Sequence, residues 1–388
     1  MVKFDFATAG RIVFGSGRVR ELEELVRDAG RRAALVTGSR PQRARPAVEA
    51  LERAGKEVSL FPVSGEPDTD GVMEAARRAR DEGCDFVVAF GGGSALDAGK
   101  ALAALLTNRR DLFTYLEVVG RGEPLDAPPA PFFAVPTTAG TGSEVTRNAV
   151  LRVPEAGVKV SLRHPGLLPR AAVVDPELLL SLPPRATAAS GVDALVQLLE
   201  AFVSRRANPL TDAFCREGLP RSGRWLPRAF ADGSDLRARE ETALAALLSG
   251  LALANGGLGA VHGFAGPVGG RFDIPHGLVC AVLLRPVCRV NLRALRERDP
   301  ENPALERYRD AAALLTGRPE AGEEELLDWI GDLLRRLEIP SFRELGADPA
   351  EFPDLAERAA RAGSMKGNPV ELTFEERMEI LRSAYEAE

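Results

Sequence analysis

Residues 85–107 read DFVVAFGGGSALDAGKALAALLT. Asp85–Phe90 is the most strand-like run in the chain, three glycines and Ser94 follow it, and residues 95–107 have the composition of a buried helix. Such a strand–glycine–helix turn is typical of parallel α/β sheets, where free N–H groups and the positive helix end bind phosphate. A tight turn without a ligand needs one glycine rather than three, so we favour phosphate binding.

The sequence on either side continues this alternation of strands and helices. Strands are predicted at 33–37, 58–61, 132–135 and 171–174, and helices at 44–54 and 70–82. After Asp175 strand patterns almost disappear. Helices are predicted at 185–204, 209–218, 240–254, 277–292, 304–315, 323–337, 349–362 and 373–386. We therefore predict two domains, an α/β domain at 1–178 and an all-helical domain at 179–388.

A second polar loop, Pro136–Glu144, follows the predicted strand at 132–135. It offers hydroxyl groups and glycine N–H groups to a polar ligand, from Thr137, Thr138, Thr141 and Ser143. Both loops leave the carboxyl ends of strands, where open α/β sheets bind ligands. A capped loop with no ligand is the alternative interpretation of this segment.

Composition excludes several classes of function. The net charge of −6 over 388 residues provides no basic field for nucleic acid or anionic lipid. The four cysteines form no CxxC pair, and the N-terminus lacks the apolar core of a signal peptide, so we expect a cytoplasmic protein. Residues 242–270 carry no charge, but Asn255–Gly257 interrupts their apolar part before the ~20 residues that span a bilayer. We expect interior helices there and no membrane partner.

A candidate metal site lies between residues 190 and 277. Asp193 and Gln197 are four residues apart in a helical run and therefore share one face. His262 and His276, two of only three histidines in the chain, each lie beside a glycine. A carboxylate, an amide and two imidazoles that converge would bind a divalent metal. On spacing alone, a buried polar pair and two unrelated core histidines remain an equal alternative.

The chain resembles the iron-dependent (group III) alcohol dehydrogenase family along essentially its whole length. Six sequence motifs carry the resemblance: Gly91–Ser94 with Asp97 and Lys100, Pro136–Glu144, Asp175–Pro176, Gly191–Ala194, Val261–Gly263 with Pro275–Gly277, and Gly367–Pro369 before a terminal helix. The resemblance implies a Rossmann-like dinucleotide-binding domain followed by an all-helical metal-binding domain, a dehydroquinate synthase-like architecture. It also implies a nicotinamide cofactor.

The resemblance further implies a divalent metal, usually Fe²⁺ and sometimes Zn²⁺, held by one Asp and three His. Asp193, His262 and His276 match three of these ligands and would carry the catalysis, while Gln197 stands where the family has its remaining His ligand. Gly266 replaces another histidine that the family commonly has near the metal. An amide oxygen is a poorer donor than imidazole to a borderline metal, so we expect a weakened site.

For the cofactor, the resemblance implies contacts from both polar loops and from the end of the first sheet strand. The residues concerned are Gly38, Ser39, Gly92, Gly93, Ser94, Asp97, Thr137, Thr138, Thr141, Ser143 and Lys159. NAD-preferring members often have an Asp at the position of Gly38. Its absence here, with Ser39, Arg40 and Arg43 nearby, favours NADP(H) over NAD(H). His164, which precedes Pro165, is interpreted as structural.

The function we predict is a cytoplasmic NAD(P)-dependent alcohol dehydrogenase, or aldehyde or ketone reductase, in which the metal acts as a Lewis acid. Its partners would be a small alcohol or aldehyde and a second copy of the chain in a homo-oligomer, a dimer. One rival is a metal-independent reductase on the same fold, similar to maleylacetate reductases, although these usually lack the Asp at position 193. Another is a catalytically inactive nucleotide-binding relative.

Overall fold

The computed structural model describes residues 3–386, so that Met1, Val2, Ala387 and Glu388 lie outside the described residues. The chain forms two compact units, one of residues 7–181 and one that combines residues up to Phe6 with those from Leu182 onward. The early segment belongs to the second unit through contacts such as that of Phe6 with Phe214, whose ring centroids are 5.8 Å apart.

The first unit is an α/β layer structure around a six-stranded sheet. The sheet strands are β1 (Ile12–Phe14), β2 (Arg32–Thr37), β3 (Glu57–Pro62), β4 (Phe86–Gly91), β5 (Phe132–Pro136) and β8 (Ala171–Val174). Their order in the sheet is β1-β8-β5-β4-β2-β3, and every strand pair is parallel. A separate antiparallel hairpin is formed by β6 (Asn148–Val153) and β7 (Val158–Arg163). The sequence patterns did not predict this hairpin.

Helices cover both faces of the sheet because its central strands are apolar on both sides. They are α1 (Leu22–Leu25), α2 (Arg45–Arg53), α3 (Thr69–Asp81) and α4 (Gly93–Thr107). Along β4, Val87 and Ala89 pack with α3 and α4, whereas Phe86, Val88 and Phe90 pack with α1 and α2. This alternation follows from the opposite directions of successive side chains in a strand.

Gly99 allows α4 to pack unusually close to the sheet. A Cβ atom at this position would lie 2.7 Å from the Cβ of Ala89 and 2.9 Å from the Phe132 ring. Strand β4 and the start of α4 are therefore held in a fixed relation, and the glycine turn between them is fixed as well.

The second unit contains helices and loops and no β-strand among its described residues. Its α-helices are α5 (Pro184–Val203), α6 (Pro209–Ala231), α7 (Leu236–Gly256), α8 (Ala260–Phe272), α9 (His276–Arg298), α10 (Pro303–Thr316), α11 (Glu323–Arg336), α12 (Phe352–Arg361) and α13 (Phe374–Glu386). The predicted helix at 209–218 was too short, since α6 continues through Pro220 and Pro227. The interior helices expected within residues 242–270 are α7 and α8, although the bounds of α8 were not predicted.

Helix α5 forms the centre of this unit, and every residue from Gly191 to Val203 is buried. It is long and apolar enough to cross a membrane, but 83% of its apolar window is buried inside the protein, as in the core helix of a soluble protein. Buried polar groups need partners because an unpaired one is costly. Asp193, Gln197 and Glu200 are buried polar residues of α5. The groups around these three side chains therefore show where a polar site lies in the helical core.

Candidate metal and cofactor sites

Four side chains from three helices of the second unit converge on one point. They are Asp193 of α5, His262 in the first turn of α8, and His276 and Cys280 at the start of α9. Asp193 Oδ1 lies 3.4 Å from His262 Nε2 and 3.6 Å from His276 Nε2. The four possible ligand atoms all lie within 4.8 Å of one another.

These donors fit a divalent ion. Asp193 Oδ1 is buried and has no hydrogen-bond partner among the described residues, which is costly for a carboxylate oxygen unless a cation neutralises it. Metal bonds of about 2.1 to 2.3 Å at tetrahedral angles separate neighbouring ligand atoms by roughly 3.4 to 3.6 Å. The distances between Asp193 Oδ1 and the two imidazole nitrogens, 3.4 and 3.6 Å, agree with that spacing.

The orientation of His262 is set by Glu200. Glu200 Oε2 lies 2.7 Å from His262 Nδ1, so that Nε2 faces Asp193. The Glu200 carboxylate also accepts the backbone N–H groups of Gly259 and Val261, at 2.9 and 2.6 Å, where the positive end of α8 favours a negative charge. Carboxylate support of a histidine on its far nitrogen is the usual arrangement around protein metal ions.

The titration behaviour of the cluster reflects its concentrated negative charge. Burial on its own would lower the pKa of His262, but the Cys280 sulfur, Asp193 and Glu200 outweigh it and raise that pKa well above 6.5. Cys280 and then Asp193 raise the pKa of His276 to about 9 against burial. Burial would raise the pKa of Asp193, yet His276 and His262 lower it. The cluster attracts positive charge, which a divalent ion supplies in place of the imidazole protons.

In the first unit, the two polar loops lie side by side at the carboxyl end of the sheet. A Cβ atom at Gly92 would lie 3.1 Å from the methyl carbon of Thr138, and one at Gly93 would lie 2.7 Å from that of Thr141. Gly92 caps α4 without any side-chain hydrogen bond, so side chains leave this helix end uncovered. Backbone N–H groups bordered by threonine hydroxyls form a cradle for an anion such as a pyrophosphate.

A buried network of hydrogen bonds holds the second polar loop, Pro136–Glu144, against α4. Lys100 Nζ, which is fully buried, donates to Ser143 Oγ at 2.7 Å, to Thr146 Oγ1 at 2.9 Å and to the Asn148 carbonyl at 2.9 Å. Ser143 Oγ in turn donates to Asp97 Oδ1 at 2.6 Å. Lys100 and Asp97 therefore connect α4 to the loop at 137–143.

Comparison with known proteins agrees with this geometry. Residues 9–176 match the family model described as iron-containing alcohol dehydrogenase, and residues 187–385 match that of the family's C-terminal domain. The chain is 36% identical to a 1,3-propanediol dehydrogenase of Klebsiella pneumoniae, over 98% of this chain and 99% of the relative. It is 32% identical to an NAD-dependent methanol dehydrogenase of Bacillus methanolicus, over 96% and 97% of the two chains. A crystal structure of 1,3-propanediol oxidoreductase matches with a TM-score of 0.91 and 36% identity, covering 99% of this chain and 100% of that one.

The chain belongs to the iron-containing alcohol dehydrogenase family. It is therefore an NAD(P)-dependent alcohol dehydrogenase with a metal centre, and the resemblance inferred from the sequence is confirmed. The prediction of a Rossmann-like sheet domain followed by a helical region is confirmed as well.

The dehydrogenase brings together many of the residues that the sequence singled out. Asp193, His262 and His276 form one cluster. Around the glycine turn, Gly92 and Gly93 meet the threonines of the other loop, and the backbone of Gly38 lies beside Gly91. Thr137 is held at the same edge, where its N–H donates to the Gly91 carbonyl. Ser39 is exposed beside Gly38, and Ser94 is half-buried in the first turn of α4.

Three other residues that the sequence singled out, Gln197, Lys159 and His164, contact protein groups outside the cluster and the two polar loops. Gln197 Oε1 lies 2.7 Å from Ser249 Oγ, and both side chains are buried. Lys159 of β7 forms an ion pair with Glu66 at 2.6 Å. His164 accepts the Gly166 N–H through Nδ1, a structural contact. The roles of Gln197 at the metal and of Lys159 at the cofactor stay predictions.

Sequence reasoning missed one residue of the cluster, Cys280, and one that orients a member of it, Glu200. Cys280 follows His276 by one helical turn, and Glu200 follows Asp193 by two turns, so both spacings were visible. Neither spacing was conclusive alone. For Cys280, a single cysteine without a second one nearby does not indicate a metal site. For Glu200, many other residues of α5 are buried without any role at the cluster.

Proposed function

We propose that this dehydrogenase oxidises small alcohols, and reduces the corresponding aldehydes or ketones, at a divalent ion held by Asp193, His262 and His276. The observation that carries the proposal is the buried, unpartnered Oδ1 of Asp193, with two imidazole nitrogens 3.4 and 3.6 Å from it. A helix core tolerates such an oxygen only beside a positive charge.

Each residue has a distinct task at this centre. When bound, the ion supplies a Lewis acid that favours loss of the proton from an alcohol oxygen. Asp193 provides the anionic charge that retains the ion, and His262 is kept in one orientation by Glu200. The His276 side chain is 38% exposed, against 6% for His262, so that we place the approach of the substrate on its side of the cluster.

Cofactor binding is assigned to the glycine turn at Gly91–Ser94 and the threonine loop at 137–143. Backbone N–H groups at the start of α4 would receive the pyrophosphate, with Thr138 and Thr141 hydroxyls beside them. Asp97 and Ser143 would act through the buried network that holds the loop rather than through direct contact, because they bond to each other. The bound nicotinamide supplies the hydride acceptor.

The cofactor we propose is NADP(H) rather than NAD(H). Gly38 has no atom within 4 Å of the position where a Cβ would stand, and Ser39 and Arg40 beside it are exposed. Because residue 38 is glycine, there is no carboxylate at this position to repel the 2′-phosphate of NADP(H). Arg40 provides a charged hydrogen-bond donor for that phosphate. Arg43 is less available, because its guanidinium lies 2.6 Å from Ser181 Oγ and 3.3 Å from the Leu178 carbonyl.

Three further assignments belong to the same proposal. The cofactor is bound by a domain at 1–178 and the metal and substrate by a domain at 179–388. The enzyme is cytoplasmic, as the unpaired cysteines suggest. It assembles as a homo-oligomer, a dimer, and has no nucleic-acid partner, in keeping with its net charge of −6.

The test is turnover of the purified enzyme before and after exhaustive chelation, with metal content measured on the same samples. We expect NADPH-dependent reduction of small aldehydes to disappear with the metal and to return when Fe²⁺ or Zn²⁺ is added. Full activity without metal would favour the metal-independent reductase. Absence of activity with any metal, despite tight cofactor binding, would favour an inactive relative.

A further inference from the structure

The metal cluster has a donor that the three-ligand proposal leaves unused. Cys280 is fully buried on α9, and its Sγ lies 3.6 Å from His276 Nε2 and 3.9 Å from His262 Nε2. Sulfur and nitrogen ligands at about 2.3 and 2.1 Å from a tetrahedral ion are roughly 3.6 Å apart. The distance from the thiol to His276 equals this spacing, and the 3.9 Å to His262 is slightly longer.

The orphaned carboxylate oxygen is the independent observation that an ion belongs among these atoms. Asp193 Oδ1 is buried and lacks a hydrogen-bond partner among the described residues. The Asp193 carboxylate and Cys280 Sγ belong to the same group of four possible ligands. The group contains one carboxylate, one sulfur and two imidazoles. As carboxylate and thiolate, the two acidic groups balance the double charge of the ion.

Gln197, by contrast, already has a partner for its amide oxygen. Its Oε1 lies 2.7 Å from Ser249 Oγ in a fully buried environment, and an oxygen bound in this way is a weaker donor to a metal. Cys280 reaches the cluster from the helix that carries His276, four residues later in sequence and on the same face.

We infer that the Cys280 thiolate is the fourth protein ligand of this metal centre, in place of the imidazole missing at Gln197, and that it gives the site a preference for Zn²⁺ over harder ions such as Mn²⁺. The inference rests on the proposed function, since it needs an ion between Asp193, His262 and His276. Thiolate is a soft ligand that selects zinc, whereas carboxylate and water suit Mn²⁺.

The experiment loads metal-free enzyme with Co²⁺ and records its near-ultraviolet spectrum, where a cobalt–thiolate bond gives an intense charge-transfer band. We expect the wild type to bind one Co²⁺ per chain and to show the band. Cys280→Ser should bind Co²⁺ without the band and with an affinity ~10–100-fold lower, by analogy with the loss of a supporting group. Cys215→Ala is the matched control, a buried cysteine on α6 outside the cluster, and should keep the band.

Competition between Zn²⁺ and Mn²⁺ gives a second readout, in which the preference for zinc should fall in Cys280→Ser and stay unchanged in Cys215→Ala. X-ray absorption of the zinc-loaded wild type, which needs no variant, should show one sulfur at about 2.3 Å. Stoichiometric Co²⁺ without the band, or zinc without sulfur, would overturn the inference but leave the proposed metal site intact. Failure of the wild type to bind Co²⁺ better than Asp193→Ala would overturn both.

Discussion

Glu200 Oε2 lies 2.7 Å from Nδ1 of His262, and the same carboxylate accepts two backbone N–H groups at the start of α8. One side chain of α5 therefore fixes both the start of α8 and the ring orientation of His262, which we propose as a metal ligand. Because such supporting contacts set the basicity and direction of an imidazole, they affect the affinity of a site for its ion.

Glu200→Gln should weaken metal binding by ~10–100-fold, since the amide removes the charge that supports His262 and the positive end of α8. The quantity to measure is the dissociation constant for Zn²⁺ in competition with a chelator. Glu217→Gln is the control, because Glu217 is an exposed carboxylate whose partner is Arg221. Equal affinity in Glu200→Gln and wild type would contradict this role.

Gly92→Asp should abolish cofactor binding while the protein stays folded. The new side chain would stand 3.1 Å from the Thr138 methyl carbon and bring a negative charge to the uncapped start of α4. Fluorescence titration with NADPH measures the loss, and circular dichroism checks the fold. Gly363→Asp adds the same charge where a Cβ has open space, and it should bind NADPH normally. Tight NADPH binding by folded Gly92→Asp would disprove our placement of the pyrophosphate.

Gly38→Asp should reverse the choice of cofactor. Open space at this position accommodates the side chain, which would accept the ribose hydroxyls of NAD(H) and repel a 2′-phosphate. Two unit charges ~4 Å apart repel by about 1 kcal/mol in water and a phosphate carries nearly two, so we expect roughly a tenfold or greater loss of kcat/KM with NADPH. The ratio of kcat/KM for the two cofactors is the measurement. A wild type that prefers NADH would refute the proposal before any variant is made.

Gln197→His should increase the amount of metal that survives purification, because it restores an imidazole one turn after Asp193. The same change should rescue metal binding when it is combined with Cys280→Ser. Metal per chain after gel filtration is the readout. Gln197→Asn serves as the control, since it keeps an amide at this position and adds no imidazole. If the histidine variant retains no more metal than Gln197→Asn, position 197 lies outside the reach of the ion.

Glu144 should make the stability of the protein depend on pH. Burial raises the pKa of Glu144 to about 7, while a backbone hydrogen bond and Lys100 oppose the rise. Between its ordinary value of 4.5 and about 7 the folded state holds a proton that the unfolded state has lost, so this group's contribution to stability falls as pH increases.

In Glu144→Gln that contribution is removed, and the variant should gain stability relative to wild type as the pH rises from 5 to 8. Urea midpoints at several pH values, at constant metal concentration, test this expectation. Glu155→Gln, at an exposed position, should follow the wild type. A difference between Glu144→Gln and wild type that does not vary with pH would rule out a raised pKa.

The sequence predicted best those features that depend on local pattern. Strand β4, the glycine turn and the start of α4 follow one another within a few residues. The sequence patterns that predict the strand, the turn and the helix are therefore consistent with one another. The sequence also singled out Asp193, His262 and His276, which the structure places together, because histidine is rare in this chain and the residue spacing on α5 is regular.

What the sequence could not reveal depends on contacts between distant segments. Helix α8 contains several glycines, each of which costs about 1 kcal/mol in a helix, yet Glu200 and Asn368 satisfy the N–H groups at its start. Helix α6 passes through Pro220 and Pro227, where local rules predict an end, because α5 and α7 pack along it. The direction in which Cys280 points is likewise set by how α9 packs, which spacing alone does not determine.

The helical unit is discontinuous along the chain, since the segment that ends at Phe6 belongs to it and the sheet unit, residues 7–181, lies between that segment and Leu182. During synthesis the sheet unit emerges as one continuous piece, whereas Phe6 must wait for Phe214 to leave the ribosome before their rings can meet. Contacts between such distant residues form slowly, because a long loop must close first. We therefore expect the sheet unit to fold while translation continues, and the proposed metal ligands, which all belong to the later helices, to be assembled last.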